Sequence, residues 1–223
     1  MLFIVATPIG NLKDITLRAL ETLKTVDIIA AEDTRRTGIL LSHYNIVCDM
    51  VSYNEHNKKK RTPFLISKMK DGKKVALVSD AGTPGISDPG YHLICAAISE
   101  GIRVVPLPGP CAAVTALVCS GLQTSSYSFY GFLPKKEHQK KKLFRSLSME
   151  TAATKTLIFY ESPHRIHKTL RLLCDVLPKK NLCVARELTK KFEEFIRGTP
   201  GEVISKIGNK KLKGEIVLLI GEV

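Results

Sequence analysis

The stretch Lys74–Glu100 reads KVALVSDAGTPGISDPGYHLICAAISE. Its first part, Lys74–Ser79, is an apolar, valine-rich run that predicts a buried strand. Its last part, Tyr91–Glu100, has a helical pattern that ends at Gly101, a residue typical of helix ends. The loop between them, Ser79–Gly90, contains three glycines and two prolines. In open α/β sheets ligands bind beyond the carboxyl ends of the strands, so this loop predicts a small-molecule site, with an elaborate turn as the alternative.

The alternation of strands and helices continues on both sides of this stretch. Further strands of the first half are predicted at Leu2–Ala6, Asp27–Ala31 and Ile102–Pro106, with helices at Thr16–Lys24 and from Asp33 or Thr34 to Leu41. Strands of the second half are predicted at Ser126–Tyr130, Thr156–Glu161, Leu182–Ala185, Phe192–Arg197 and Glu215–Ile220. Helices of the second half are predicted at Ala112–Ser120, Glu137–Met149, Pro163–Val176 and Pro200–Ile207.

The pattern predicts an α/β fold of two α/β domains, residues 1–112 and 113–223, with a cleft between them. The strict alternation in the first half favours a parallel sheet covered by helices on both faces. Several strands of the second half have short connections, which favours a mixed sheet there.

The charge of the chain is unevenly distributed. The 223 residues carry a net charge of +13. Up to Cys111 there are 14 Lys and Arg against 11 Asp and Glu, or +3, and beyond it 20 against 10, or +10. This asymmetry indicates a polyanionic partner such as RNA, DNA or a membrane surface, the alternative being a general lysine bias that aids solubility.

The cellular setting is predicted to be the cytoplasm. No apolar run reaches the ~20 residues of a membrane span, and Met1–Ala6 predicts a first buried strand in place of a signal peptide. The six cysteines are scattered without a C-x-x-C pair, which favours buried, reduced thiols over zinc ligands or disulfides.

The absence of three motifs narrows the range of ligands that this loop is expected to bind. No G-x-x-x-x-G-K-[ST] loop, no G-x-G-x-x-G turn and no cluster with metal-ligand spacing occurs in the sequence. An ordinary NTPase, a standard dinucleotide enzyme and a metalloenzyme are therefore disfavoured.

Other polar segments also fall at predicted strand ends. They are Thr7–Asp14, Glu32–Arg36, Ser52–Asn57, Pro108–Ala112, Tyr160–Arg165 and Arg186–Lys190. Those that combine carboxylates with cations suit proton transfer or phosphate positioning, with surface ion pairs and helix caps as the alternative.

Four lysine clusters are predicted as solvated faces able to grip a nucleic-acid backbone: Lys58–Arg61, Lys135–Lys136, Lys140–Lys142 and Lys210–Lys213. Nearby aromatic residues are candidates for base stacking or for the core: Tyr53, Tyr127, Tyr130 and Phe132.

Together, the motifs TPIGNLKDIT, AEDTRR, SDAGTPGISDPG, PGPCAA, YESPHR and RELTK resemble the tetrapyrrole-methylase superfamily over essentially the whole chain. Within it they are similar to enzymes that methylate the ribose 2′-hydroxyl of a cytidine in small-subunit (16S) ribosomal RNA. The resemblance implies a class III methyltransferase fold, a homodimer, no metal, and S-adenosylmethionine bound between the two domains. Such proteins often have a further small helical segment after the last strand; without it, RNA binding is expected to depend on the basic second half or on the shape of the ribosomal subunit.

The resemblance also implies the residues that contact the cofactor. In the first domain and at its boundary they are Pro8, Asp80, Ala81, Gly82, Thr83, Ile86, Ser87, Cys111 and Ala112. In the second domain they are Tyr160, Leu188, Gly214, Glu215, Ile216 and Val217.

Transfer of the methyl group to a ribose requires alignment and removal of the hydroxyl proton. Candidates for the base or for an orienting group are Asp33, His56, Glu161 and Glu187, with slight preference for Asp33 and Glu161 at strand ends. Candidates for placing phosphates are Arg35, Arg165, Arg186 and Lys190. Two alternatives stay open: methylation of a tetrapyrrole or of a modified protein side chain, and a non-enzymatic ribosome-assembly factor that binds RNA.

Overall fold

Ten strands and eight α-helices form two separate units in a computed structural model, which describes residues 1–150 and 155–222. The units are Met1–Cys111 and Ala112–Val223, so the division falls one residue before the predicted boundary. Each unit contains one five-stranded sheet. The predicted fold class, two α/β domains with a parallel and a mixed sheet, is confirmed.

The first unit has a fully parallel sheet in the order β3-β2-β4-β1-β5. Its strands are β1 (Leu2–Val5), β2 (Ile28–Ala31), β3 (Asp49–Ser52), β4 (Val75–Val78) and β5 (Val104–Leu107). Its helices are α1 (Leu17–Thr25), α2 (Thr34–His43), α3 (Lys58–Lys70) and α4 (Gly90–Ser99), with a 3-10 turn at Leu12–Asp14.

Helices cover both faces of this sheet. Successive residues of a strand point to opposite faces, and β4 shows the result: Ala76 and Val78 pack in one core with Leu23 of α1 and Leu40 of α2. The alternate residues of this strand, Val75 and Leu77, lie in the second core. That core also contains Leu65 of α3 and Leu93 and Ala97 of α4. This two-sided burial explains why the strands are continuous apolar runs.

The second unit has a mixed sheet in the order β6-β7-β10-β8-β9. Its strands are β6 (Tyr127–Phe132), β7 (Thr156–Glu161), β8 (Asn181–Arg186), β9 (Glu194–Gly198) and β10 (Ile216–Gly221). Its helices are α5 (Ala112–Val118), α6 (Glu137–Glu150), α7 (Ile166–Val176) and α8 (Pro200–Ile207). Only β6 and β7 pair in parallel, while β10 runs antiparallel to both β7 and β8.

One large core fills this unit. It joins Phe144 of α6, Leu170 of α7 and Val203 of α8 to the apolar residues of the central strands, such as Phe159 and Leu218. Helix α8 begins with a complete capping box, in which Thr199 and Glu202 each accept from the other's backbone N–H, a strong signal for a helix start.

Two elements are absent from the sequence prediction, β3 and α3. Strand β3 is a half-exposed edge strand that begins with Asp49, so it lacks the apolar run of the other strands. Helix α3 begins with four basic residues, contains Pro63 and has no side-chain N-cap, so its helical signal is weak. Strand β9 begins two residues later than predicted, since Phe192 is exposed and precedes it.

The prediction that the cysteines are buried is wrong for most of them. Only Cys183 is buried, and Cys95 and Cys119 are exposed. Cys95 lies on the side of α4 away from the buried Leu93 and Ala97, and Cys119 follows the exposed Val118 at the end of α5. In the part of the chain that the structure describes, all six cysteines are free, and no helix has the length and apolar character needed to cross a membrane.

Candidate functional site

The loops that follow β1, β2, β4 and β5 meet at one edge of the first sheet, because parallel strands all end at the same edge. Thr7 and Gly82 exchange two backbone hydrogen bonds of 2.9 Å, and the Thr7 hydroxyl donates to the Ser79 carbonyl at 3.0 Å. The Thr83 hydroxyl donates to the Pro110 carbonyl at 2.9 Å. Three of the predicted loops are thus joined into one surface.

The Gly/Pro-rich loop is shaped by Asp88. Its carboxylate accepts from the backbone N–H of Gly85, at 2.8 and 2.9 Å, and of Gly90, at 2.6 Å. A Cβ atom at Gly90 would lie 2.8 Å from Asp88 Oδ1, and Gly85 has a φ of +92°, a conformation that favours glycine. Both glycines are therefore needed for this turn, and Asp88 holds the loop in shape.

Several groups of this loop are available to a ligand. Ala81, Ile86 and Ser87 are exposed. The backbone N–H groups of Ala81, Thr83 and Ser87 have no hydrogen-bond partner within residues 1–150 and 155–222. Free N–H groups on a glycine-rich turn donate well to carboxylate or ribose oxygens, so the loop fits a ligand of the S-adenosylmethionine type, which has both.

Two carboxylates here are half-buried: that of Glu32, which lies beside the loop, and that of Asp80, which belongs to it. The Glu32 carboxylate accepts from the backbone N–H of Asp80 at 3.1 Å, and Asp80 accepts from the backbone N–H of Asp33 at 3.0 Å. Burial raises the pKa of Glu32 and of Asp80, although Arg36, 3.6 Å from Asp80, acts in the opposite direction. This pair connects the end of β2 to the end of β4.

Asp33 has a different environment. It is the N-cap of α2 and accepts from the backbone and the guanidinium of Arg35, at 2.9 and 2.7 Å. The hydrogen bonds from Arg35 lower the pKa of Asp33 to about 2. Asp33 is therefore ionised throughout the neutral range and is a weak base.

A small cavity of about 130 Å³ opens at the same edge. It is lined by Thr7, Pro8, Leu12, Arg36, Thr37, Ile39, Leu40, Ser79 and Asp80. The predicted contact residues Pro8 and Asp80 thus share one concave surface.

In the second unit the predicted site segments also lie together at one sheet edge. Ile216, at the start of β10, pairs with Glu161 at the end of β7 and with Arg186 at the end of β8. Because β10 is antiparallel to both neighbours, its beginning lies beside their ends. The segments Tyr160–Arg165, Arg186–Lys190 and Gly214–Val217 are therefore neighbours.

Glu161 is the centre of a buried ionic cluster. Its side chain has 0% exposure and accepts from Lys140 Nζ at 2.5 Å, Thr169 Oγ1 at 2.7 Å and Arg165 Nη2 at 2.6 Å. The backbone N–H of Ser162 completes the set at 2.7 Å. This carboxylate is fully occupied by donors, which favours a role in positioning Arg165 and the Tyr160–Arg165 turn.

Lys190 Nζ bridges Glu187 and Glu215 at 3.0 Å each. Burial alone would raise the pKa of Glu187, but the hydrogen bonds from Lys190 and the Glu215 backbone outweigh it and lower that pKa. Burial likewise disfavours the charged Lys190, yet its two carboxylate partners raise its pKa. These shifts favour the charged forms of both Glu187 and Lys190.

The backbone of this turn is strained. Glu187 and Thr189 have φ values of +50° and +64°, which are uncommon for non-glycine residues and are enriched at functional sites. The Thr189 hydroxyl is buried and has no hydrogen-bond partner among the described residues. A buried hydroxyl without a partner is a group that a bound molecule can satisfy.

The remaining predicted residues have varied surroundings. Leu188, Ile216 and Val217 are buried, Tyr160 packs edge-on against Phe129 and Phe132, and Cys111 and Ala112 are half-buried at the boundary of the units. His56 lies in the exposed turn after β3, where its backbone N–H donates to Asn54 at 3.1 Å.

One expectation about the basic clusters is wrong: Lys140 is buried in the Glu161 cluster and is not part of a solvated face. Tyr53 is fully buried and hydrogen-bonds Thr62 at 2.9 Å, which agrees with the core alternative for this residue. Tyr127, Tyr130 and Phe132 are exposed on β6.

Sequence reasoning did not single out Glu32 and Arg36 within the candidate segment Glu32–Arg36, and it missed Thr169 and the pairing of Lys140 with Glu161. The signal for Lys140 is present in the spacing: Lys140, Phe144 and Leu147 share one helical face, and the other two are buried. Within residues 1–150 and 155–222 no group of three or more His, Cys, Asp and Glu side chains is placed to hold a metal ion.

The sequence and the fold of the chain both match those of known proteins. Residues 1–204 match the family model of the tetrapyrrole (corrin/porphyrin) methylases. A protein of Halalkalibacterium halodurans named ribosomal RNA small subunit methyltransferase I is 51% identical over 98% of this chain and 75% of its own length. The protein of that name from Vibrio cholerae is 50% identical over 99% of this chain and 76% of its own length.

Solved structures share the fold at low sequence identity. A uroporphyrin-III C-methyltransferase from Thermus thermophilus is 19% identical, with a TM-score of 0.65 over 99% of this chain and 94% of its own. A diphthine synthase is 13% identical, with a TM-score of 0.70 over 99% of this chain and 89% of its own.

Proposed function

The chain belongs to the tetrapyrrole (corrin/porphyrin) methylase family, and from this membership we propose that it uses S-adenosylmethionine to methylate small-subunit ribosomal RNA. The proposed acceptor is the 2′-hydroxyl of a cytidine ribose, and the proposed active form is a homodimer in the cytoplasm. The observation that carries the proposal is the identity of about half of all residues, over nearly the whole chain, with proteins named for ribosomal RNA methylation.

The charge distribution supports RNA over the other acceptors of the family. The second unit has 20 basic and 10 acidic residues, or +10, as suits a polyanion. A tetrapyrrole would favour a roomy apolar cleft instead.

The cofactor is proposed to lie on the Gly/Pro-rich loop of the first unit. When bound, S-adenosylmethionine supplies a methyl group on a positively charged sulfur. The free N–H groups of Ala81, Thr83 and Ser87 are assigned to its carboxylate and ribose oxygens, and Pro8, Gly82, Ile86 and Cys111 to its apolar parts. Tyr160, Leu188, the start of β10 and Ala112 stay predictions from the family resemblance.

The catalytic task of the protein is to align a weak nucleophile and accept its proton. We assign proton acceptance to Asp33, because it lies beside the cofactor loop and is ionised at neutral pH. Its low pKa makes it a weak base, so alignment has to supply a large part of the rate.

The other candidates act as positioning groups in this proposal. Glu161 fixes Arg165, and Glu187 fixes Lys190, so that these two cations and Arg186 meet the RNA phosphates at one sheet edge. Arg35 orients the Asp33 carboxylate, and His56 is kept as a candidate phosphate contact.

The acceptor is tested by incubating the protein with radiolabelled S-adenosylmethionine and small ribosomal subunits. The label is expected in RNA, at a single cytidine that resists alkaline cleavage, because a methyl group on the 2′-oxygen removes the nucleophile for that cleavage. Label on a base, on ribosomal protein or on an added tetrapyrrole would refute the proposed acceptor. RNA binding without cofactor affinity in calorimetry would support the assembly-factor alternative.

The role of Asp33 is tested with Asp33→Asn, because asparagine is an equally good N-cap and α2 should stay intact. The single-turnover rate with saturating cofactor is expected to fall about 10-fold or more, less than the ~100-fold usual for a general base because Asp33 is a weak one. A rate within about twofold of wild type, with unchanged cofactor affinity, would remove Asp33 from this role.

A further inference from the structure

A basic surface pocket of about 420 Å³, here named the α8 pocket, lies in the second unit. It is formed where the end of β8, strand β9, the end of α8 and the segment before β10 meet. Among the residues that line it are Arg186, Phe192, Glu194, Lys210, Lys211 and Leu212.

The floor of the α8 pocket is apolar and its rim is cationic. Ile196, Ile207 and Leu212 are buried beneath it. Lys210 and Lys211 are exposed on the rim. Such a combination suits a molecule with both an anionic and an apolar planar part.

The acidic residues of the pocket are already neutralised. Glu194 accepts from Arg186 Nε at 2.7 Å, and Glu187 pairs with Lys190 at 3.0 Å. By contrast, Lys210 and Lys211 form no ion pair with any residue in the described ranges 1–150 and 155–222. The charge offered to an incoming molecule is therefore positive.

An exposed aromatic ring stands at the side of the pocket. Phe192 is 64% exposed, and Lys191 Nζ lies 5.6 Å from the centre of its ring. A nucleic-acid base can stack on such a ring, and the adjacent ammonium is in reach of the phosphate that follows the base.

We propose that the α8 pocket binds a single-stranded segment of RNA, with a phosphate between Lys210 and Lys211 and a base stacked on Phe192. This inference rests on the proposed function, which makes RNA the acceptor, and it names the surface that grips the strand. A polymer is favoured over a free nucleotide because the whole unit has a net charge of +10, far more than one nucleotide requires. Single-stranded RNA is favoured because its bases are free to stack.

The phosphate contacts are tested in the full-length protein with Lys210→Gln/Lys211→Gln. The matched control is Arg18→Gln/Lys24→Gln, which removes the same charge from two exposed basic residues of α1 that belong to none of the lysine clusters. The probe is a fluorescent single-stranded oligoribonucleotide of roughly 12 nucleotides, within the usual site size. Its binding to the protein is measured by fluorescence anisotropy in the absence of cofactor.

The pocket variant is expected to bind the probe at least ~10-fold more weakly than wild type. The slope of log K against log salt should become shallower by about 0.7, since the single phosphate held between these two lysines contributes ~0.7 on a single strand. The control variant should keep the wild-type slope. Equal losses in the two variants would overturn the proposal and indicate bulk charge alone.

The stacking contact is tested with Phe192→Ala against Phe64→Ala. Phe64 is also partly exposed, at 38%, and also has a lysine near its ring, Lys68 at 5.7 Å. Phe192→Ala is expected to weaken probe binding about 10-fold, as is usual for loss of one stacked base, while Phe64→Ala stays within about twofold of wild type. Wild-type affinity in Phe192→Ala would refute the base contact.

Failure of the proposed function gives a different result. If the wild-type protein binds the probe through Lys210 and Lys211 but labels no ribosomal RNA, the pocket stands and the methylation proposal fails. If the wild type methylates the RNA while both pocket variants bind the probe and methylate as it does, the pocket proposal fails alone. That second outcome would be expected if an acidic protein surface occupied the pocket.

Discussion

Glu161 shows how much structure one carboxylate can organise. It joins the end of β7 to α6 through Lys140 and to α7 through Thr169 and Arg165, all within 2.7 Å. Removing one member of a buried ionic group leaves the others without a counter-charge, which costs far more than an exposed ion pair is worth.

Glu161→Gln is therefore expected to lower the free energy of unfolding by about 3–5 kcal/mol. Lys140→Met should lower it by a similar amount. The double variant should lose less than the sum of the two, because it removes both members of the pair and leaves neither without the other. Urea unfolding followed by circular dichroism measures this. A loss below about 1 kcal/mol for Glu161→Gln would show that the cluster is not a stabilising unit.

Gly214 offers a second test at the scale of one residue. Its φ is +86°, and a Cβ atom there would overlap the Glu187 side chain. Gly72 has nearly the same φ, +84°, but nothing within 4 Å of its Cβ position. The two glycines thus separate backbone strain from a steric clash.

Gly72→Ala is expected to cost about 1–2 kcal/mol, as is usual for a left-handed conformation. Gly214→Ala should cost more, because Glu187 has to move away from Lys190. It should also weaken cofactor binding, because Gly214 is one of the predicted cofactor contacts. Urea unfolding curves measure the change in the free energy of unfolding, and calorimetry with S-adenosylmethionine measures the cofactor affinity. Identical stability and affinity in the two variants would contradict the predicted clash.

Among the elements, helix α8 is defined by its capping box. The Glu202 carboxylate accepts from the Thr199 backbone N–H at 2.8 Å, and this bond and the one to the Thr199 side chain lower the pKa of Glu202 from 4.5. A lowered pKa adds stability that is present above the unfolded value and is lost as the pH falls through the folded value.

The stability difference between wild type and Glu202→Gln is thus expected to be largest above about pH 5 and to shrink towards about pH 3. Urea unfolding at a series of pH values measures the difference. A difference that grows as the pH falls would contradict the sign of the pKa shift.

The elements that the sequence predicted well are those with unambiguous local signals. Strand β4 is a continuous apolar run, and α2 has the N-cap Asp33. Strand β3 and helix α3 were not predicted, because their stability comes from tertiary contacts and not from their own sequence pattern. Examples are the contacts of the buried Leu65 and Met69.

The same division applies to the candidate site. Segments such as Ser79–Gly90 could be found because glycine and proline mark special turns. The partnership of Lys140 with Glu161 joins residues 21 positions apart in sequence, and the antiparallel pairing of β10 decides which turns become neighbours. No local pattern contains that information.

At the scale of the whole molecule, positive charge is concentrated in one unit, with +10 in the second against +3 in the first. Binding to an RNA probe is therefore expected to weaken steeply with salt, by at least ~100-fold between about 50 and 200 mM if several phosphates are contacted. Anisotropy titrations at several salt concentrations measure this. A flat response would contradict a polyanionic partner.

The burial of Lys140 also gives this molecule a built-in chemical reporter. It is the only lysine buried among the residues that the structure describes, with 4% exposure, so its amine is shielded from acylating reagents that modify the lysines of the surface. In mass spectra of pulse-labelled protein, Lys140 is expected to stay unmodified until the core of the second unit opens. The rate at which it becomes labelled would thus time that opening, without any probe being introduced into the chain.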